Sequence, residues 1–263
     1  VDHLRRTRPA GDFDYERAGD GYAGRRRPDP RIADLVLEAL GRSRTILNVG
    51  AGAGSYEPPD RLVLAVEPSA SMRAQRPAEL APAIDATAES LPFDASAFDA
   101  VMAMVTIHQW GDWRRGLAEM RRVSRGPVVL LTFDGTALDR LWLGEYVPEL
   151  FVAESRRYPA VEDLCGALGA SSEVIEVPIP IDCSDGFTEA FYARPEAFLD
   201  EAVRRSQSAW GFVEPDAIER GLGRLARELA SGAWDERYGM LRSQPEFLGA
   251  LRLIAAPAAG AED

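Results

Sequence analysis

Lysine is missing from all 263 residues, and the 30 basic side chains are every one arginine. That excludes chemistry built on a lysine amine, such as a Schiff base or a phosphate-binding P-loop. Cysteine is nearly missing too. Cys165 and Cys183 are too few for a disulfide framework, and no CxxC or HxxxH pair suggests a metal site. No apolar run approaches the roughly 20 residues that a membrane span needs, and the basic, broken start does not read as a signal peptide. These absences point to the cytoplasm and away from a membrane partner. Base is also outnumbered by acid, 30 to 42, for a net charge of −12. A nucleic-acid partner is disfavoured, because phosphate binding needs a basic surface.

What remains is ordinary globular material. Hydrophobic residues make up 46% of the chain, enough for a sizeable core, and the length suits one large domain or one domain with an insertion. Residues 31–40 carry apolar side chains at helical spacing and end at Gly41. Short apolar runs at 45–50, 62–66, 98–105 and 127–133 read as strands, with helical pattern between them, most clearly over 113–123. Strands alternating with helices imply βαβ units and a parallel sheet. Residues 161–168 read as a helix, 173–181 alternate like a strand, and 248–256 form a last apolar run. Between these lies an aromatic-rich helical stretch, with helices expected over 197–203 and 217–229. The expected fold is α/β: a doubly wound, mostly parallel, Rossmann-like sheet with a helical insertion between its last strands. The expected division is an N-terminal segment with the first helix (1–40), the first part of the α/β core (41–135), the remainder of the core (136–186), a helical insertion (187–247), and a last strand with the tail (248–263).

The informative stretch follows the first strand. Gly50, Gly52 and Gly54 allow a sharp turn and a close ligand approach. Glu67 falls at the end of the next strand, across the crevice from that loop, where its carboxylate can accept hydrogen bonds from both hydroxyls of a ribose. Together they point to a nucleoside-containing cofactor. The loop reads GxGxG rather than the GxGxxG of dinucleotide binders, and Pro58 and Pro59 leave room for little more than one turn of helix to face a pyrophosphate. A cofactor without phosphates suits it better, and an NAD-dependent oxidoreductase is disfavoured.

The ordered segments ILNVGAGAGSYEP, VLAVEPS, ATAESLPF, FDAVMAMVTIHQW and EMRRV resemble the class I S-adenosylmethionine-dependent methyltransferases of the broad type 11 group, over about residues 12–135. The resemblance implies S-adenosyl-L-methionine as cofactor and roles for matching positions. Gly50, Ala51 and Gly52 would lie against its methionine and ribose, with Asn48 holding the loop. Glu67 would take the ribose hydroxyls, Pro68, Ser69 and Met72 would flank the adenine, and Thr87, Ala88 and Glu89 would meet the adenine amine. Met104 and Val105 would floor the pocket near the sulfonium. Tyr15, Tyr22 and Arg26 or Arg27 resemble the family's N-terminal cap over the cofactor. Asn48 and Thr87 stand where the family usually has acids. The helical insertion resembles the lid of small-molecule methyltransferases such as the trans-aconitate type.

For the chemistry, His108 falls just past the third strand at the carboxyl edge of the sheet. It is either a general base with an ordinary pKa of about 6.5 or a residue that only shapes the pocket. Asp182 and Asp185 are further candidates for substrate orientation or deprotonation, against the plainer reading of an Asx turn. The expected reaction is methyl transfer to a small-molecule acceptor at O, N or C. The alternative is a cofactor-binding protein of the same fold with a non-methylating or regulatory role. The oligomeric state is left open.

Overall fold

A computed structural model of the chain describes residues 26–169 and 171–258. Five strand pairings, three parallel and two antiparallel, join a six-stranded sheet built from β1 (Thr45–Val49), β2 (Leu62–Val66), β3 (Ala100–Met104), β4 (Val128–Phe133), β5 (Glu173–Glu176) and β8 (Leu251–Ala256), in the order β2-β1-β3-β4-β8-β5. The first four strands run parallel, and β8 lies antiparallel between β4 and β5. β3 and β4 are buried along their whole length, which is why they read as continuous apolar runs rather than alternating ones. The doubly wound, mostly parallel α/β fold expected from the sequence is the one observed.

Helices cover both faces. Among them, α1 (Pro30–Leu40) starts where Asp29 accepts the Arg31 N–H at 3.0 Å and Pro30 opens the first turn, and it buries Ile32, Val36 and Leu40. The buried Asp29 also accepts the Ser184 N–H at 3.0 Å, which fastens the start of α1 to the 182–185 turn. Burial pushes its carboxyl upward, but the Arg31 guanidinium and the two backbone N–H groups outweigh it and hold the pKa at about 2. Next come α2 (Ala70–Ala74) and α3 (Trp113–Val123), the latter capped by Asp112 and burying Leu117, Met120 and Val123. Helices α4 (Pro148–Ser155) and α5 (Val161–Leu168) follow β4.

Three sequence expectations need correction. No helix forms between β1 and β2 among the described residues, which turn from Gly50 to Asp60. Pro58 and Pro59 lack N–H donors and hold the preceding residues out of the helical region, and Tyr56 adopts φ +62°. The run 173–181 breaks after Glu176, because Pro178 cannot continue the ladder, and its remainder, β6 (Ile179–Pro180), pairs with β7 (Glu246–Phe247) in a separate two-stranded sheet. The helix expected over 197–203 divides at Asp200 into a 3-10 turn, Pro195–Leu199, and α6 (Glu201–Arg205), which Asp200 caps through the Ala202 N–H at 2.8 Å.

The insertion is completed by α7 (Pro215–Ser231) and α8 (Ala233–Tyr238). Aromatic packing joins it to the core. Trp142 lies edge-on to Trp234 at 5.2 Å and to Phe198 at 5.8 Å, and its indole N–H donates to the Tyr192 carbonyl at 2.8 Å. No helix among the described residues is long and apolar enough to cross a membrane.

Candidate active site

The strand order reverses direction between β1 and β3, so the loops after these two strands diverge and leave a crevice at their carboxyl ends. Both loops are constrained by contact with each other. Gly50 has φ +66°, and a Cβ on it would lie 2.3 Å from Thr106 Oγ1, beyond β3. Val105, immediately before, takes φ +52°, a conformation that costs a β-branched residue strain and is concentrated at functional sites.

The glycine loop is held from below. Asn48 is buried and donates through Nδ2 to Glu57 Oε1 at 3.0 Å, while Asn48 Oδ1 has no partner. Arg76 clamps Glu57 with two hydrogen bonds of 3.0 and 2.9 Å and also donates to the Ala81 carbonyl. Both charged side chains are almost fully buried, so each compensates the other's desolvation. Asparagine at position 48 thus reaches an acid nine residues later instead of being one.

Glu67 closes the cradle. Its two carboxylate oxygens accept the Gly52 and Ser69 N–H groups, each at 2.8 Å. Burial pushes its pKa up, against the pull of those two donors and of Arg73 and Arg76. Ser69 in turn caps α2 by accepting the Met72 N–H at 3.1 Å, and Met72 Cε lies 3.3 Å from where a Cβ on Gly52 would stand. Gly50, Ala51, Gly52, Glu67, Pro68, Ser69 and Met72 therefore share one edge of the sheet with Met104 and Val105 at the end of β3. Thr87 is exposed, Ala88 is buried, and Glu89 accepts the Asp112 N–H at 3.1 Å near the start of α3. Tyr15 and Tyr22 lie outside the described residues.

Beside this edge runs a cleft between the sheet and the insertion. It holds about 560 Å³ of empty space, open solvent included. Val105 and His108 line it from the β3 side, and Glu154, Tyr158, Glu189 and Gln207 from the other. Phe133 supplies an aromatic wall, with ring centroids 5.5 Å from both Tyr158 and Phe187.

His108 stacks obliquely on Tyr158 at 4.7 Å, and its buried Nδ1 has no hydrogen-bond partner. Burial pushes the imidazole pKa well below its usual value, and the positive charges of Arg157 and Arg26 add to that. The sequence expectation of an ordinary pKa near 6.5 is corrected accordingly. The ring is neutral at pH 7 and a weaker base than a free imidazole.

The two aspartates separate. Asp182 is 75% exposed and paired with Arg31 at 2.7 Å, so it faces solvent and not the cleft. Asp185 is buried, accepting Arg26 Nε at 2.6 Å and the Tyr56 hydroxyl at 2.9 Å. With its oxygens so engaged it ties the glycine loop to Arg26 at the cleft, which is a positioning arrangement and not that of a base. The residues that sequence reasoning passed over are Tyr56, Thr106, Glu154, Tyr158, Glu189 and Gln207. Glu189 and Gln207 sit in stretches whose aromatics mark them only as core, and neither belongs to a spaced pattern.

Comparison with known proteins agrees with this geometry. A methyltransferase domain family matches residues 47–130. No curated protein matches the chain. A solved structure from Anabaena variabilis, described as a methyltransferase from an antibiotic biosynthesis pathway, is 31% identical, with 87% of this chain and 97% of that one covered and a TM-score of 0.80. The YcgJ protein of Bacillus subtilis shares the fold at 17% identity, with 86% and 97% covered and a TM-score of 0.52. With that likeness over nearly its whole length, and with a glycine loop and strand-end acid at the sheet edge, the chain belongs to the class I S-adenosylmethionine-dependent methyltransferases.

Proposed function

We propose that the chain methylates a small molecule held in the cleft between His108 and the helical insertion. The observation that carries this is the join at the end of β3: Thr106 packs on the cofactor-side Gly50, while the adjacent Val105 lines the cleft. A donor on one side of that strand end and an acceptor on the other are within reach of each other.

The cradle suits S-adenosylmethionine, because a Cβ on Gly52 would crowd Met72 at its rim and because each Glu67 oxygen keeps a lone pair beside the N–H it already accepts. Gly50, Ala51 and Gly52 would face the methionine and ribose, and Glu67 the two ribose hydroxyls. Pro68, Ser69 and Met72 would flank the adenine, with Thr87, Ala88 and Glu89 toward its amine. Bound there, the cofactor would supply a methyl group on a positively charged sulfur, which would be released as a neutral thioether. Met104 and Val105 floor the site, and the aromatic wall keeps water from it. Arg26, fixed by Asp185, stands at the boundary of the two compartments.

His108 takes the acceptor's proton at Nδ1 where there is one to lose, in the tautomer that keeps the ring hydrogen on Nε2, 3.3 Å from the Gln109 amide, which then turns its oxygen to that side. Because its imidazole is weakly basic, His108→Ala should lower turnover by about tenfold, below the usual 10²–10⁴ of general-base catalysis, and leave affinity for S-adenosylhomocysteine unchanged. The rate should show no inflection from this residue between pH 6 and 8, since the ring is neutral throughout; a sigmoid centred near 6.5 and lost in the variant would contradict this. Glu67→Gln removes the charge that the backbone and the ribose share, and should weaken S-adenosylhomocysteine by about tenfold in a calorimetric titration.

The experiment that tests the reading supplies methyl-labelled S-adenosylmethionine to the protein with a mixture of cellular metabolites. Label in a small molecule is the expected result. Label confined to protein or nucleic acid overturns it.

A further inference from the structure

Three polar atoms without a hydrogen-bond partner belong to side chains lining the same cleft: His108 Nδ1, Glu189 Oε2 and Gln207 Nε2. Buried polar groups are otherwise almost always satisfied, so three along one cleft mark a place where a ligand completes the bonding. The chemistry of two of them is fixed by their surroundings.

Gln207 is 6% exposed. Its Oε1 accepts the Thr188 hydroxyl at 2.7 Å and the Trp210 indole N–H at 3.1 Å. An indole N–H can only donate, so the amide oxygen must be on that side, and the unpartnered atom is an NH₂ donor. Glu189 is 1% exposed, and its Oε1 accepts the Ala250 N–H at 2.8 Å. Gly249 makes room for the carboxyl, since a Cβ there would lie 2.2 Å from Oε1. Burial, opposed by the Ala250 N–H and reinforced by Glu154, pushes the Glu189 pKa up to about 8, with Arg252 and Arg140 pulling the other way. Near pH 7 the group carries a proton, and with Oε1 occupied by an N–H the proton sits on Oε2. Two donors therefore line the cleft. Its full charges are already matched, Arg26 by Asp185 and Arg157 by Glu154 at 4.0 Å. Among the described lining residues, no unmatched anion is left to hold a cation.

We propose that Glu189 and Gln207 form the recognition end of the acceptor site, and that they select an uncharged molecule presenting a hydroxyl or carbonyl oxygen on a compact planar body. Two donors match the two lone pairs of one oxygen, and the Phe133, Tyr158 and Phe187 rings face the rest. The inference rests on the reading that the acceptor occupies this cleft.

The test titrates the protein, saturated with S-adenosylhomocysteine, with phenol and with benzylamine, which is a cation at pH 7. Phenol should bind saturably and benzylamine should not. Phenol affinity should fall as pH rises from 7 to 9, because ionised Glu189 loses its donor and repels the oxygen. Glu189→Gln keeps a donor at every pH, so it should hold phenol within about threefold of wild type at pH 7 and abolish the pH dependence. Gln207→Leu should weaken phenol by about tenfold. Unchanged S-adenosylhomocysteine affinity in both variants shows that they are folded. Absence of saturable phenol binding, benzylamine binding as tight as phenol, or the same pH profile in Glu189→Gln overturns the proposal. Methyl transfer to a metabolite alongside any of those results leaves the transfer reading standing and removes only the recognition site. Phenol behaving as expected with label found only in macromolecules does the reverse.

Discussion

Replacing Gly50 by alanine is expected to weaken S-adenosylhomocysteine by about 30- to 5,000-fold. Two costs combine. An L residue at φ +66° in the left-handed region is strained by roughly 1–2 kcal/mol. The added Cβ would also stand 2.3 Å from Thr106 Oγ1 and 2.9 Å from its Cγ2, and overpacking of this kind costs about 1–3 kcal/mol. The loop cannot relieve the overlap by swinging outward without breaking the Gly52 N–H bond to Glu67, so the strain falls on the cradle. Adding Thr106→Ala should restore much of the affinity and leave the backbone cost, since the remaining Thr106 Cβ is 3.1 Å away. Calorimetry on the single and double variants, with a thermal melt to establish folding, decides it. A folded Gly50→Ala chain that binds within about threefold of wild type would show that the loop is not held against β3 in solution.

The second large effect is on stability and follows from Glu189. Its pKa rises from 4.5 to about 8 on folding. Below pH 4.5 both states are protonated and the group contributes no difference. Between 4.5 and 8 the unfolded chain ionises while the folded one does not, so stability falls by up to about 1.4 kcal/mol per pH unit, and above 8 the loss levels off. Glu189→Gln has no proton to lose. Its stability relative to wild type should therefore increase by about 2–3 kcal/mol between pH 6 and pH 9, whatever its offset at pH 6. Asp29, held at about 2, works in the opposite direction and at lower pH, and it is common to both chains. Denaturant titrations at the two pH values make the comparison. A pH-independent difference would place an ionised Glu189 in the folded state.

The core of the fold was readable because it depends on local pattern. Buried parallel strands are continuous apolar runs, and α3 and α5 were bounded correctly by their spacing alone. Errors came where one residue overrides a pattern. Pro178 splits an alternating run, Asp200 caps a new helix inside an expected one, and Pro58 and Pro59 abolish a crossover helix altogether. At the cofactor side, glycines and an acid at fixed separations on consecutive strands are a sequence signal, because their geometry is set by two adjacent parallel strands and the short connection between them. The cleft offers no such signal. Glu189 and Gln207 come from distant segments, and what distinguishes each is one buried polar atom without a partner, which only the packed structure reveals. Asp182 and Asp185 show the converse. They are neighbours in a polar cluster, yet one faces water and the other is locked between Arg26 and Tyr56.

The central claim is that the acceptor occupies the cleft beside Val105 and His108, and a cavity-filling substitution addresses it most directly. Ala209 is buried and lines the cleft from the insertion side, away from the glycine loop. Single-turnover transfer from methyl-labelled S-adenosylmethionine would be measured in wild type and in Ala209→Phe, using the acceptor identified by screening, with S-adenosylhomocysteine affinity measured in both. Transfer reduced by about 100-fold or more at unchanged cofactor affinity is the predicted result. Transfer at the wild-type rate in a folded Ala209→Phe chain would contradict it, because the acceptor would then be reaching the methyl group by another route.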